Sequence, residues 1–172
     1  MPELSGWAEE GYLLVVSRLL PYKNVDAAIE AVRGTDHRLA VVGDGPLRGE
    51  LAATAPPNVQ LVRDLTDAQL RWVYAHARRL LAPSLEDFGL TPLEAAAAGV
   101  PTVALRGGGY LDTVLEGTTG VLVDEVTPRA IAAGIDTAEQ IPWDAPTIRA
   151  HAAGFGEERF AERLRQIAAD LG

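Results

Sequence analysis

Two glutamates, Glu86 and Glu94, bracket the run Asp-Phe-Gly-Leu-Thr-Pro-Leu, with seven residues between them. The segment around them, Pro83 to Pro101, reads as a strand end, a tight turn at Gly89 and the opening of a helix. A helix N-terminus presents unpaired N–H groups that attract anions, phosphate above all. Carboxylates at its rim repel phosphate but accept hydrogen bonds from sugar hydroxyls. Phosphate donors beside hydroxyl acceptors point to a nucleotide-sugar site. Glu94 has a second reading: Thr91-Pro-Leu-Glu94 is a capping box, with Thr91 as N-cap, Pro92 at the first helical position and Glu94 three residues after the cap. Glu86 precedes that cap, at the strand's carboxyl end, where open α/β sheets bind ligands.

Other turns at strand ends could join it. Ser17-Arg18-Leu-Leu-Pro-Tyr-Lys23-Asn24 offers an arginine fork and a lysine point charge, a pair suited to a diphosphate, or else two solvated cations on a surface loop. Asn24 suits a helix cap and a left-handed backbone. Val42-Gly43-Asp44-Gly45-Pro46 opens a helix but lacks both the Gly-x-Gly-x-x-Gly spacing and a Gly-Lys-Ser/Thr ending, so it reads first as a tight turn, with close approach of a ligand to Gly43 as the alternative. Arg106-Gly-Gly-Gly109-Tyr110 could admit a ligand to its backbone or serve as a flexible connection.

Other chemistries find no pattern. His37, His76 and His151 are scattered, no Asp-x-Asp is present to hold a divalent ion on a diphosphate, and no Gly-x-Ser-x-Gly elbow occurs. His76 reads as helix packing. The formal net charge of −9 argues against nucleic acid and against an anionic membrane surface as the main partner. The absence of cysteine rules out disulfides and thiolate zinc sites and fits a reducing, cytoplasmic setting. No signal-peptide pattern and no apolar run of membrane-spanning length is visible. Lys23 is the single lysine among 15 basic residues, a bias that suggests a G+C-rich genome and singles out the lysine that remains.

These turns must be held by a sheet. The chain has 172 residues and 48% hydrophobic content, enough for one domain with a real core. Short apolar runs at Tyr12–Ser17, Arg38–Val42, Val59–Val62, Arg79–Ala82, Thr102–Leu105 and Val121–Val123 read as strands buried on both faces. Helical patterns alternate with them at Asn24–Val32, Pro46–Ala55, Thr66–Arg78 (opened by a Thr66/Gln69 capping box), Pro92–Ala98 and Tyr110–Leu115. This alternation predicts an α/β fold with a doubly wound, six-stranded parallel sheet, Rossmann-like, in the order 3-2-1-4-5-6. The sheet core spans residues 12–123, and a helical C-terminal segment follows over 127–172, with helices at Thr127–Glu139, from Trp143 onward and at Glu157–Leu171. The last of these carries Phe160, Leu164, Ile167 and Leu171 on one face.

In order along the chain, Val16-Ser-Arg18-Leu, Lys23-Asn24, Val41-Val-Gly-Asp-Gly-Pro46, Ala82-Pro-Ser84, Glu86 to Glu94, Gly99-Val-Pro101, Gly108-Gly109 and Thr119-Gly-Val-Leu-Val123 resemble the C-terminal, donor-binding domain of retaining glycosyltransferases of the GT-B fold, the group 1 family with its Glu-x7-Glu signature. The resemblance implies a GDP- or UDP-hexose donor, with a lean toward GDP-mannose, and no metal cofactor. It implies that Arg18 and Lys23 bind the diphosphate and stabilise it as a leaving group in place of a metal. Glu94 would take the ribose hydroxyls and Glu86 would face the donor sugar. Backbone at Phe88, Gly89 and Leu90 would meet sugar and phosphate oxygens, and Leu65 the base, with Gly43 and Thr91 completing the donor-binding set. Two departures stand out: Asn24 sits where the family often has glycine, and Arg63 replaces a glycine of the base-binding loop. The family's chains are about twice as long, with the acceptor site and a catalytic histidine on an N-terminal domain. The resemblance therefore implies half an enzyme, inactive alone, whose partner is that acceptor domain in cis or trans, with any membrane attachment made through the other half. The competing readings are a stand-alone nucleotide or nucleotide-sugar binding module and, disfavoured by the glycine spacing after the first strand, a dinucleotide-binding oxidoreductase domain.

Overall fold

Strands that are apolar on both faces must be covered on both faces, and here alternate side chains of each strand feed two separate cores. The computed structural model describes residues 2–156 together with 159, 161, 165, 166 and 168. The elements run α1 (Pro2–Ser5), β1 (Tyr12–Val16), a 3-10 turn at Pro21–Lys23, α2 (Val25–Ala31), β2 (Leu39–Val42), α3 (Arg48–Thr54), β3 (Val59–Val62), α4 (Asp67–His76), β4 (Ala77–Ala82), α5 (Leu90–Ala97), β5 (Thr102–Leu105), α6 (Tyr110–Thr113), β6 (Gly120–Val123), α7 (Pro128–Glu139) and α8 (Ala145–Ala153). The six strands form one sheet in the order β3-β2-β1-β4-β5-β6, every neighbouring pair parallel, as the alternation predicts.

Leu13 and Val15 of β1, Leu39 and Val41 of β2, Leu81 of β4 and Val103 of β5 pack with Ala28 and Ile29 of α2, Leu51 of α3 and Ile131 and Ile135 of α7. The intervening residues Tyr12, Leu14, Ala40, Val42, Leu80 and Ala82 pack with Val73 and Tyr74 of α4, Ala95 of α5 and Tyr110 of α6 on the other face. The expected face of Phe160, Leu164, Ile167 and Leu171 lies outside the described residues. Among the described residues no helix is long and apolar enough to cross a membrane.

Two expectations are corrected. The segment Thr66–Arg78 does not stay helical to its end: α4 stops at His76 and β4 begins at the next residue, because Ala77 turns extended and pairs with Tyr12 of β1. The capping box at its start is present, with Thr66 Oγ1 accepting from the Gln69 N–H and the Gln69 side chain accepting from the Thr66 N–H.

The second correction reaches the site. Thr91 is not an N-cap, and Glu94 makes no capping box. Helix α5 starts two residues earlier, at Leu90, with Gly89 in the cap position at φ 83° and ψ 51° and no side-chain cap. Only glycine suits that left-handed position, since a Cβ there would lie 2.7 Å from Thr113 Oγ1 and 2.8 Å from the Tyr110 ring. The early start places Thr91 and Glu94 inside the helix, so Glu94 is free for another partner.

Candidate functional site

The sheet order reverses between β1 and β4, and loops leaving those adjacent strands part to opposite sides. A crevice at their carboxyl ends is the expected ligand site of such a sheet. The structure has a cleft of about 710 Å³ there. Its walls come from the turns after β1, β2 and β3, from the loop after β4 and from the first turns of α5. Arg18, Lys23, Gly43, Leu65, Glu86, Phe88, Gly89, Leu90, Thr91 and Glu94, all singled out in the sequence, line this one cleft.

The turn after β1 is fastened to its neighbours by backbone. Leu19 N–H donates to Asp44 O at 2.9 Å, and Leu47 N–H donates to Leu19 O at 3.2 Å. The Gly43 turn packs so closely that a Cβ there would sit 1.8 Å from Ser17 O. Gly43 is therefore required by the approach of two turns, whatever the cleft holds. Asn24 adopts the left-handed conformation expected (φ 51°), but its side chain does not cap α2. Its Nδ2 instead donates to Pro83 O at 2.9 Å and Tyr22 O at 3.1 Å, tying the β1 turn to the β4 loop.

The two cations differ. Arg18 is exposed, and its guanidinium makes no hydrogen bond or ion pair with any described residue. Lys23 is mostly buried and its Nζ is paired with Glu86 Oε1. The same Glu86 oxygen accepts from Ser84 Oγ at 2.6 Å, and Ser84 Oγ lies 3.3 Å from the Tyr110 hydroxyl. Burial, above all, pushes the Tyr110 phenol up to about 12, so it stays protonated at neutral pH.

Gly107, Gly108 and Gly109 do not line the cleft, although the adjoining Tyr110 does. Gly109 N–H donates to Glu86 O at 2.7 Å. A Cβ at Gly108 would lie 2.2 Å from Glu86 O, and one at Gly109 would lie 2.4 Å from the Phe88 carbonyl carbon. These glycines let the segment buttress the Glu86–Gly89 loop from behind.

Glu94 is exposed to the cleft, yet its Oε2 accepts from the hydroxyl of buried Tyr74 at 2.6 Å. Burial, reinforced by the Glu94 bond and charge, raises the Tyr74 phenol far above its ordinary value. Arg63 also borders the cleft, 3.6 Å from Asp44 Oδ2 and 3.3 Å from Asp64 Oδ2, and occupies the expected base end near Leu65. His76 stacks on Trp72 with ring centroids 4.2 Å apart and lies outside the cleft, as the packing reading anticipates. Among the described residues no three His, Cys, Asp or Glu side chains converge as metal ligands do. Sequence reasoning missed Ser84 and Tyr74, and gave the Asn24 side chain a helix cap in place of its tie to the β4 loop. Ser84 lay inside a quoted motif, but Tyr74 carried no signal beyond a helical apolar position.

The arrangement can hold a diphosphate between Arg18 and the uncapped start of α5, with carboxylates on either side positioned for hydroxyls. A family model described as glycosyl transferases group 1 matches residues 5–154. The chain is 33% identical over 153 residues to the GDP-mannose-dependent alpha-(1-6)-phosphatidylinositol monomannoside mannosyltransferase of Mycolicibacterium smegmatis, covering 78% of this chain and 40% of that protein. It is 34% identical over 180 residues to the D-inositol 3-phosphate glycosyltransferase of Corynebacterium diphtheriae, covering 90% of this chain and 41% of that one. The chain thus spans about two fifths of the length of these relatives. Among solved structures, the apo form of the lipopolysaccharide outer core galactosyltransferase WaaB superposes with a TM-score of 0.79 at 20% identity, over 94% of this chain and 50% of that one, which shows a shared fold.

Proposed function

The chain belongs to the glycosyl transferases group 1 family, and on that premise we propose that it is the donor-binding domain of a retaining hexosyltransferase, taking a GDP- or UDP-hexose. The observation that carries this reading is the convergence of Arg18, Lys23, Glu86, Glu94 and the start of α5 on one cleft. In the reaction the bond from the sugar C1 to the β-phosphate oxygen breaks and its electron pair stays on the diphosphate. Charge grows where fixed cations and a helix terminus stabilise it most, and removing one such donor costs about 3–4 kcal/mol of barrier. The reading assigns that charge to Arg18, Lys23 and the α5 N-terminus rather than to a metal ion. Glu94 takes the ribose hydroxyls, Glu86 faces the sugar, and the Leu65 backbone meets the base. The name of the mycobacterial relative supports a GDP-mannose-like donor.

The acceptor site belongs to the remaining length of such an enzyme, joined in cis or in trans, and this chain alone does not transfer sugar. Calorimetric titration with GDP, UDP, GDP-mannose and NAD tests the binding reading. A sugar nucleotide and its diphosphate should bind. Binding of NAD with no sugar nucleotide overturns it in favour of a dinucleotide domain. Turnover of donor onto a sugar acceptor by this chain alone overturns the claim of dependence on a second half.

A further inference from the structure

We infer that Tyr74 is a positioning residue for nucleotide recognition: from beneath the cleft it locks the Glu94 carboxylate so that its free acceptor sites meet the two vicinal ribose hydroxyls. The inference rests on the proposed assignment of Glu94 to the ribose.

Tyr74 does not line the cleft and is 4% exposed, so it acts only through Glu94. Its hydroxyl, on α4, donates to Glu94 Oε2 on α5 at 2.6 Å, a length typical of a hydroxyl bonded to a charged oxygen. A phenol has one proton to give, and this one is committed to Glu94. The neighbouring buried tyrosine makes the contrast: Tyr12 donates to the Val73 backbone oxygen at 2.8 Å and fixes only the core. A glutamate side chain left unanchored on an exposed helix turn samples several rotamers, and binding must freeze them. With one lone pair of Oε2 held by Tyr74, Oε1 and the second lone pair of Oε2 stay available to a cis-diol. The same bond links α4, whose N-terminus follows the cleft residue Leu65, to α5, whose N-terminus faces the phosphate region. The base end and the phosphate end of the cleft are thereby kept in register.

The test compares nucleotides that differ only at the ribose. Dissociation constants of the full chain are measured calorimetrically for GDP and UDP and for their 2′,3′-dideoxy counterparts. The ratio of dideoxy to ribo constants reports the hydroxyl contacts and is insensitive to a general loss of folded protein. The parent should prefer the ribonucleotide, and Tyr74→Phe should cut that preference about tenfold while leaving the dideoxynucleotide constant unchanged. Glu94→Ala should abolish the preference. If Glu94→Ala abolishes it and Tyr74→Phe leaves it intact, the positioning role is overturned and the reading of Glu94 stands. If the parent has no preference, or Glu94→Ala retains it, the ribose assignment fails and this inference fails with it.

Discussion

Lys23 and Glu86, 63 residues apart in sequence, are ion-paired in the lining of the cleft, so the cation assigned to a diphosphate is held by the carboxylate assigned to a sugar. Both are largely shielded from solvent, with side-chain exposures of 13% and 26%. On the proposed reading a diphosphate entering the cleft has to compete with Glu86 for Lys23, and Glu86 itself would repel the phosphate. Replacing Glu86 by Gln should therefore tighten GDP or UDP binding about fivefold, the equivalent of roughly 1 kcal/mol. The sugar nucleotide should gain less or lose, since it forfeits the Glu86 contact. Weaker binding of the bare diphosphate by Glu86→Gln, measured by calorimetry, would contradict the competition.

Arg18 and Lys23 should behave differently when removed. Arg18 has no described side-chain partner to lose, so Arg18→Ala should weaken diphosphate binding about tenfold with a melting temperature within roughly 1 °C of the parent. Lys23→Ala leaves Glu86 uncompensated beside the phosphate, and should cost more affinity and some stability as well. Equal GDP affinity of both variants and the parent removes the cationic clamp.

The convergence of Arg18, Lys23, Glu86 and Glu94 was legible because a parallel sheet brings all its strand-to-helix turns to one edge. Once the strands were placed, the turns had nowhere else to go. What each turn does within that edge was less legible. The Thr91/Glu94 spacing satisfies the capping-box pattern, but the pattern carries no knowledge of Tyr110 and Thr113, against which Gly89 must pack in a left-handed conformation. Arg106 to Tyr110 reads as ligand-accessible because glycines permit close approach, and sequence does not say that the approaching group is the Glu86 backbone. Tyr74 sits 20 residues before Glu94 on a helix whose apolar positions all read as core. A hydroxyl that serves a site from the core side has no sequence signature of its own.

Gly89 gives a direct test of the helix start. Gly89→Ala combines a positive φ with short contacts to Thr113 and Tyr110, and should destabilise the fold by about 3 kcal/mol, lowering the melting temperature by roughly 6–12 °C. The variant should also lose diphosphate affinity, because relief of the clash moves the first turn of α5. Gly117→Ala is the control: φ is 73° there as well, but the added Cβ meets nothing within 4 Å. That variant should lose only about 1–2 kcal/mol and keep its nucleotide affinity. Equal destabilisation by the two substitutions refutes the packing account of Gly89.

Three buried phenols set the alkaline limit of the fold. Burial raises Tyr110 to about 12 and also raises Tyr12 and Tyr74, whose bond to Glu94 adds to the effect. A raised folded-state value means that the unfolded chain, titrating near the ordinary 10.0, releases these protons first. Stability is then full below about pH 10 and falls as pH rises toward the folded values, by at most about 1.4 kcal/mol per pH unit for each phenol. With the exposed Tyr22 replaced by Phe, phenolate absorbance should thus lag behind that of free tyrosine between pH 10 and 12, then rise together with the loss of helical circular dichroism. In Tyr74→Phe the alkaline transition should move to higher pH, since one buried phenol no longer has to ionise. A transition unchanged by that substitution, or phenolate appearing well before the helices melt once Tyr22 is replaced by Phe, contradicts the burial of Tyr74 and its link to Glu94.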